Sequence, residues 1–167
     1  MKNIYVIPGP WRGRLAIVAR PRGGDWLRDD VCDWKSAGFD IVISALTASE
    51  ESHFDLRSEA AESRACGMEF ISIPIEDREV PPRTPSVVAT LDQIEKSLAD
   101  GKSIAIHCRQ GLGRAPLIAA SVLVLAGVDG AEAFRRISEA RGVTVPETPA
   151  QEAWVLALSH EAVPVRR

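Results

Sequence analysis

The sequence predicts an α/β domain in three layers, with a central, mostly parallel sheet flanked by helices. Two observations carry that prediction. Strand-like and helix-like segments alternate along the chain, and the strand-like ones include unbroken apolar runs such as Ile41-Val42-Ile43 and Ile104-Ala105-Ile106. Alternation of this kind implies strand–helix–strand crossovers. Unbroken β-branched runs mark strands buried on both faces, as in parallel sheets. The 167 residues suit one domain spanning 1–167, with no internal repeat, low-complexity tract or linker to divide it.

The elements follow in order. Residues 15–19 form a short apolar strand. Asp25 reads as a helix cap, with Leu27, Val31 and Trp34 on one face of the helix and Gly38 as its stop. Residues 40–46 are a strand, 56–66 a helix closed by Gly67, and 68–73 another strand. A loop holding Asp77, Pro81 and Pro82 leads to Thr84-Pro85, a cap followed by proline at the first helical position. Val87, Leu91, Ile94 and Leu98 then recur at helical spacing until Gly101. Residues 103–107 form a strand, a glycine-containing loop follows, and an apolar helix over 115–126 stops at Gly127. Helices over 131–141 and 149–159 complete the chain. Folds of this kind place ligand sites at the carboxyl ends of strands, where the loop 108–114 lies.

Composition narrows the partners. The formal net charge is -3, which argues against nucleic-acid binding through bulk positive charge. No apolar run approaches the length of a membrane span. The apolar stretch within residues 1–10 is too short for a signal peptide. The C-terminus, Val165-Arg166-Arg167, has no cysteine for prenylation. The three cysteines, Cys32, Cys66 and Cys108, are odd in number and far apart. Reduced thiols, and hence a cytoplasmic location, are expected from them. Cys32 and Cys66 are expected to be small buried hydrophobes. Trp11, Trp26, Trp34 and Trp154 read as core or rim packing, and His53 and His160 have no partners at metal-ligand spacing. No metal or cofactor is expected.

The run His107-Cys108-Arg109-Gln110-Gly111-Leu112-Gly113-Arg114 carries the functional argument. A loop that passes from a buried strand into a helix N-terminus turns several backbone N–H groups inward. With the helix dipole they make an anion cradle. Gly111 and Gly113 permit the backbone angles and close approach that a cradle needs. Arg114 can fold back and grip two phosphate oxygens. The same field favours Cys108 as a thiolate, placed to attack phosphorus in line while Arg114 and the amides neutralise charge in the transition state. A buried inert cysteine beside an ordinary turn is the bland alternative. Fixing His, Cys, Gly and Arg together, between a strand and a helix, argues against it.

This run resembles the signature His-Cys-x-x-Gly-x-x-Arg of cysteine-dependent protein phosphatases. The chain from about Leu15 to Leu158 is similar to their compact dual-specificity branch. The resemblance implies a metal-independent hydrolase acting on phosphotyrosine, and on phosphoserine and phosphothreonine, in proteins through a phosphocysteine intermediate. It implies a phosphoprotein or phosphopeptide as partner, and a loop that also takes inorganic phosphate or another oxyanion. Ala115 stands where most of that family carries Ser or Thr, a hydroxyl that stabilises the departing thiolate. Gly111-Leu112-Gly113-Arg114-Ala115-Pro116 resembles the phosphatases of regenerating liver, which also carry Ala there. A phosphoinositide or other small-molecule phosphatase, and a phosphoprotein-binding module with weak catalysis, are the alternatives. Arsenate reductases also use a Cys and Arg loop, but need further redox cysteines near it.

The leaving oxygen of a phosphomonoester needs a proton, which a carboxylic acid on a nearby loop can supply. Pro74-Ile75-Glu76-Asp77-Arg78-Glu79-Val80-Pro81 is similar to the family's acid loop, and Asp77 matches its general acid, with Glu76 and Glu79 as competitors. His107 is expected beneath the loop, donating hydrogen bonds that fix it. Gln151 either positions the water that hydrolyses phosphocysteine or completes a capping box with Thr148. Arg109 points to solvent or toward the mouth of the site, where it would favour substrates with extra negative charge.

Overall fold

The computed structural model describes residues 3–161. Five strands form one mixed sheet in the order β1-β2-β5-β3-β4. They are β1 (Ile4–Ile7), β2 (Arg14–Val18), β3 (Ile41–Ser44), β4 (Glu69–Ser72) and β5 (Ser103–His107). β5 lies at the centre, parallel to β2 and β3, and β3 is parallel to β4. Only β1 runs antiparallel, paired to β2 at the sheet edge. The sequence reading had no strand at β1. Its four residues are half exposed and stop at Pro8, too little for the pattern of a doubly covered strand.

Among the described residues seven α-helices flank the sheet: α1 (Leu27–Ser36), α2 (Ala48–His53), α3 (Glu59–Ala65), α4 (Pro85–Ala99), α5 (Arg114–Leu125), α6 (Gly130–Arg141) and α7 (Pro149–Glu161). Alternate strand residues serve two separate cores, as the period of a strand requires. Leu15, Ile17, Ile41, Ile43, Ile104 and Ile106 pack with α4, α5, α6 and α7. Ala16, Val18, Val42 and Ala105 pack with Leu27, Val31 and Trp34 of α1 and with Leu56 and Met68. This two-sided burial is why β3 and β5 read as continuous apolar runs. Truncating a fully buried isoleucine such as Ile43 to alanine costs about 2–5 kcal/mol in such cores.

Three local readings are corrected. Asp25 is no cap: a single 3-10 turn over Gly24–Trp26 leads directly into α1, and no side chain caps either helix. The helix expected over 56–66 is shorter, and a separate short helix, α2, precedes it. Third, Cys32 and Cys66 are not free thiols. They form a disulfide with Cα atoms 5.5 Å apart, tying α1 to the end of α3. Helix packing brings together two cysteines that lie 34 residues apart in sequence. The ground for expecting a reducing cytoplasm is thereby removed. Among the described residues, no helix is long and apolar enough to cross a membrane. The readings on His160 and on the C-terminal Val165, Arg166 and Arg167 lie outside the described side chains.

Candidate active site

β5 ends at His107, and the chain turns through residues 108–113 into α5, whose first residue is Arg114. α5 is apolar apart from Arg114 and Ser121 and is buried from Arg114 to Val124, as expected of a helix packed on every side. Gly111 takes a φ of +73°, a left-handed conformation that costs glycine least. Gly113 has no room for a side chain: a Cβ would stand 2.9 Å from the Gln151 amide and 3.0 Å from Glu147 Oε2.

The turn closes over the sulfur. The Gly111 N–H donates to Cys108 Sγ at 3.2 Å, and Cys108 is a free, buried cysteine. A cavity of about 260 Å³ opens beside it, lined by Cys108, Arg109, Gln110, Leu112, Gly113 and Arg114 of the loop. Asp77, Arg78 and Glu147 complete the wall. Asp77 thus reaches the cavity, whereas Glu76 and Glu79 do not line it. The turn that selects Asp77 is closed by Glu79 N–H donating to the Glu76 carbonyl at 2.9 Å.

Arg114 is 2% exposed and held on several sides. Its Nη1 donates to Glu50 Oε1 at 2.5 Å and to the Ile75 carbonyl at 2.8 Å. Its Nη2 donates to Glu50 Oε2 at 2.8 Å and to Asp77 Oδ1 at 3.3 Å. Burial alone would lower the pKa of Arg114. The Glu50 hydrogen bonds and the nearby Cys108, Glu50 and Asp77 outweigh burial and raise it. Burial pushes the Glu50 carboxyl up, but hydrogen bonds from Arg114 and Thr47 hold it below its ordinary value.

Glu50 was absent from the sequence reading, although a signal was there. Thr47-Ala48-Ser49-Glu50 is a capping box: the Thr47 hydroxyl accepts from Glu50 N–H, and Glu50 Oε1 accepts from Thr47 N–H. The same oxygen that caps α2 orients Arg114.

His107 departs from expectation. Its ring makes no hydrogen bond to the loop. Nε2 donates instead to Glu59 Oε1 at 2.6 Å, with both side chains buried, and the ring lies 5.9 Å from Trp34. As the last residue of a strand, it projects to the α1 face rather than under the loop. Its role becomes that of an anchor at the start of the turn.

Arg141, at the end of α6, was also missed. Its Nε donates to the Gly111 carbonyl at 3.0 Å and its Nη2 to the Gln110 carbonyl at 3.3 Å. Drawing these carbonyls outward leaves the inner side of the turn to N–H groups. A basic residue in a last helical turn ordinarily reads as a dipole partner, so the sequence carried no sign of this contact.

For Gln151, the capping box is formed: Thr148 N–H donates to its Oε1 and its own N–H donates to Thr148 Oγ1, each at 3.2 Å. Its Nε2 donates to the Glu79 carbonyl at 3.2 Å. It is buried against Gly113, tying α7 to the acid loop, and does not line the cavity. Arg109 turns toward the mouth, with Nη1 3.9 Å from Asp77 Oδ2. Neither Cys32 nor Cys66 pairs with Cys108, because they pair with each other.

The comparisons agree with this architecture. The kinase associated phosphatase, in a form with its catalytic-site cysteine replaced by serine, superposes with a TM-score of 0.81 at 20% identity over 97% of both chains. Tk-PTP in its active form gives 0.76 at 24% identity over 97% of this chain and 99% of that one. PTPMT1 in complex with PI(5)P gives 0.71 at 20% identity over 95% and 96%. At such identities these likenesses show the fold. No curated protein sequence matches the chain. A family model described as the DSP-PTPase phosphatase of polymorphic toxin systems matches residues 28–128. The chain belongs to this DSP-PTPase phosphatase family and has the dual-specificity phosphatase fold.

Proposed function

We propose that the protein hydrolyses phosphomonoesters in two steps through Cys108. One observation carries the reading: a single cavity brings together the sulfur of Cys108, the guanidinium of Arg114 and the carboxyl of Asp77. In the first step the Cys108 thiolate attacks phosphorus, an S–P bond forms and the P–O bond to the leaving group breaks. Asp77 gives its proton to the departing oxygen. Arg114 and the loop amides of residues 109–113 hold the non-bridging oxygens as charge builds on them. In the second step water attacks phosphorus, Asp77 takes its proton, and the S–P bond breaks to release inorganic phosphate and the thiolate.

Family resemblance supports phosphotyrosine, with phosphoserine and phosphothreonine, in proteins as the substrate class. The lining of the cavity favours a second reading. Arg78, Arg109 and Arg114 face it with Asp77 and Glu147, and Leu112 is its apolar side chain of any size. Such walls suit a hydroxylated small-molecule or headgroup phosphate better than an aryl ring, which gains from apolar contact. Ala115, fully buried at the start of α5, supports slow breakdown of the phosphocysteine, since no hydroxyl stands there to stabilise the leaving sulfur. In the extreme, the protein would be a phosphoprotein-binding module.

The test is phosphate release from a phosphotyrosine peptide, from phosphoserine and from inositol phosphates, each against Cys108→Ser. Mass spectrometry follows a phosphocysteine adduct formed with a small aryl phosphate. Release that disappears in Cys108→Ser, with an adduct at residue 108, supports the mechanism. Release undiminished in that variant overturns it, and a long-lived adduct with little release indicates the binding module.

A further inference from the structure

Arg109, which lines the cavity, and Arg20 share one aromatic platform. Arg20, just beyond β2, lies with Cζ 3.4 Å from the centroid of the Phe54 ring. Arg109 lies over the same ring with Cζ at 5.7 Å. Their guanidinium centres are therefore within about 9 Å of each other. Phe54 directly follows α2, so the platform belongs to the segment that carries Glu50.

Neither charge is well neutralised. The carboxylate nearest Arg109 is Asp77 at 3.9 Å, beyond hydrogen-bond length. Among the described residues Arg20 has no ion pair, and its Nε is buried with no hydrogen-bond partner. Glu50 acts on Arg20 through space, but both its oxygens are committed to Arg114. Burial and then the charge of Arg109 push the pKa of Arg20 down against the smaller pull of Glu50. Its neighbour Arg22 is different, fully engaged with Asp30 at 2.7 Å. Two cations held near each other, neither with a carboxylate within hydrogen-bond length, make a place where an anion relieves repulsion.

We infer that Arg20 and Arg109, stacked on Phe54, form a second oxyanion subsite beside the cradle. The substrate it selects is a small polyol phosphomonoester carrying a second phosphate. The scissile phosphate enters between Cys108 and Arg114, and the second is received across Asp77, whose carboxylate lies between Arg114 at 3.3 Å and Arg109 at 3.9 Å. The polar walls of Arg78 and Glu147 suit the hydroxyls of the scaffold. The inference rests on reading residues 108–114 as a phosphate cradle.

The experiment compares kcat/KM for a myo-inositol bisphosphate with vicinal phosphates against that for a myo-inositol monophosphate. It uses the wild type, Arg20→Gln and Arg20→Lys, with thermal unfolding of each. The wild type is expected to prefer the bisphosphate by about tenfold or more, the discrimination available to one charge-assisted contact. Arg20→Gln is expected to lose that preference through a raised KM, and Arg20→Lys to keep most of it. A ratio unchanged in Arg20→Gln, or both substrates slowed equally, overturns the subsite. If the wild type turns over neither substrate but releases phosphate from a small aryl phosphate, the polyol assignment is overturned; if it turns over none of the three, the catalytic reading fails. Turnover of both without preference sinks only the subsite. Vesicles bearing the matching bisphosphorylated phosphoinositide separate a lipid headgroup from a free polyol, and preference for either supports the inference. Preference for a doubly phosphorylated peptide over both overturns the polyol assignment.

Discussion

Two carboxylates from neighbouring helices hold the two ends of the Cys108 loop, and they do so differently. Glu50 meets Arg114 with both oxygens, shares one of them with Thr47, and keeps some contact with solvent. Glu59 meets His107 through one oxygen at 2.6 Å, with both side chains sealed in the core. Its second oxygen and His107 Nδ1 have no hydrogen-bond partner. A two-pronged, partly solvated contact fixes a direction, which would matter to a group proposed to grip phosphate. A single dry contact fixes little beyond position, but its loss strands a polar group in the core. Glu50 is therefore expected to bear on rate and Glu59 on stability.

The largest expected effect is that of Glu59→Ala. It leaves His107 without its partner in the core and should destabilise by about 3–5 kcal/mol, or roughly 6–20 °C in Tm, by calorimetry. A smaller loss would mean that water satisfies His107 and that the two carboxylates differ less than their contacts suggest. Next comes the disulfide, which fastens the helix bearing Glu59 and leaves α2 untouched. Replacing Cys32 and Cys66 together by serine opens a loop closed across a separation of 34 residues. It should cost about 3–4 kcal/mol by chemical denaturation, with kcat/KM of the folded enzyme retained. A collapse of activity at full folding would show that the two ends of the loop are coupled.

Glu50→Gln should act the other way. Losing one prong lets Arg114 swing, and kcat/KM should fall on the order of 10–100-fold, with a smaller change in Tm than Glu59→Ala produces. The smallest effect is one of pH. Glu50 titrates in the folded protein below its ordinary 4.5. Its stabilising contribution is therefore complete above that pH and is lost as pH falls through the lower folded value. The difference in Tm between wild type and Glu50→Gln should be constant from neutral pH down to about 5 and narrow below 4.5. A gap that closes already near neutral pH would break the assignment.

The legible part of the molecule is the part governed by local rules. β3 and β5 announced themselves because both of their faces are covered. α4 did so through Thr84 and Pro85, which cap and start it as read. The loop 108–114 was legible because glycine spacing, a strand before and a helix after are all features of consecutive residues. What escaped was contact across the chain. Glu50 sits 64 residues from Arg114, Glu59 48 from His107, and Arg141 30 from Gly111. Each reads locally as a capping or solvated charge, and only the packing of helices against the sheet gives it a second partner. The Cys32–Cys66 bridge escaped for the same reason.

The grip of Arg141 on the carbonyls of Gln110 and Gly111 has a consequence for how far the fold can be trimmed. The stretch recognised by the family model, residues 28–128, holds Cys108, Arg114 and Asp77, yet stops short of α6. A fragment trimmed to that stretch would keep all three side chains and lose the outer brace on the turn. The smallest unit that keeps the shape of this loop is therefore longer than its signature, because part of that shape is held from a helix outside it.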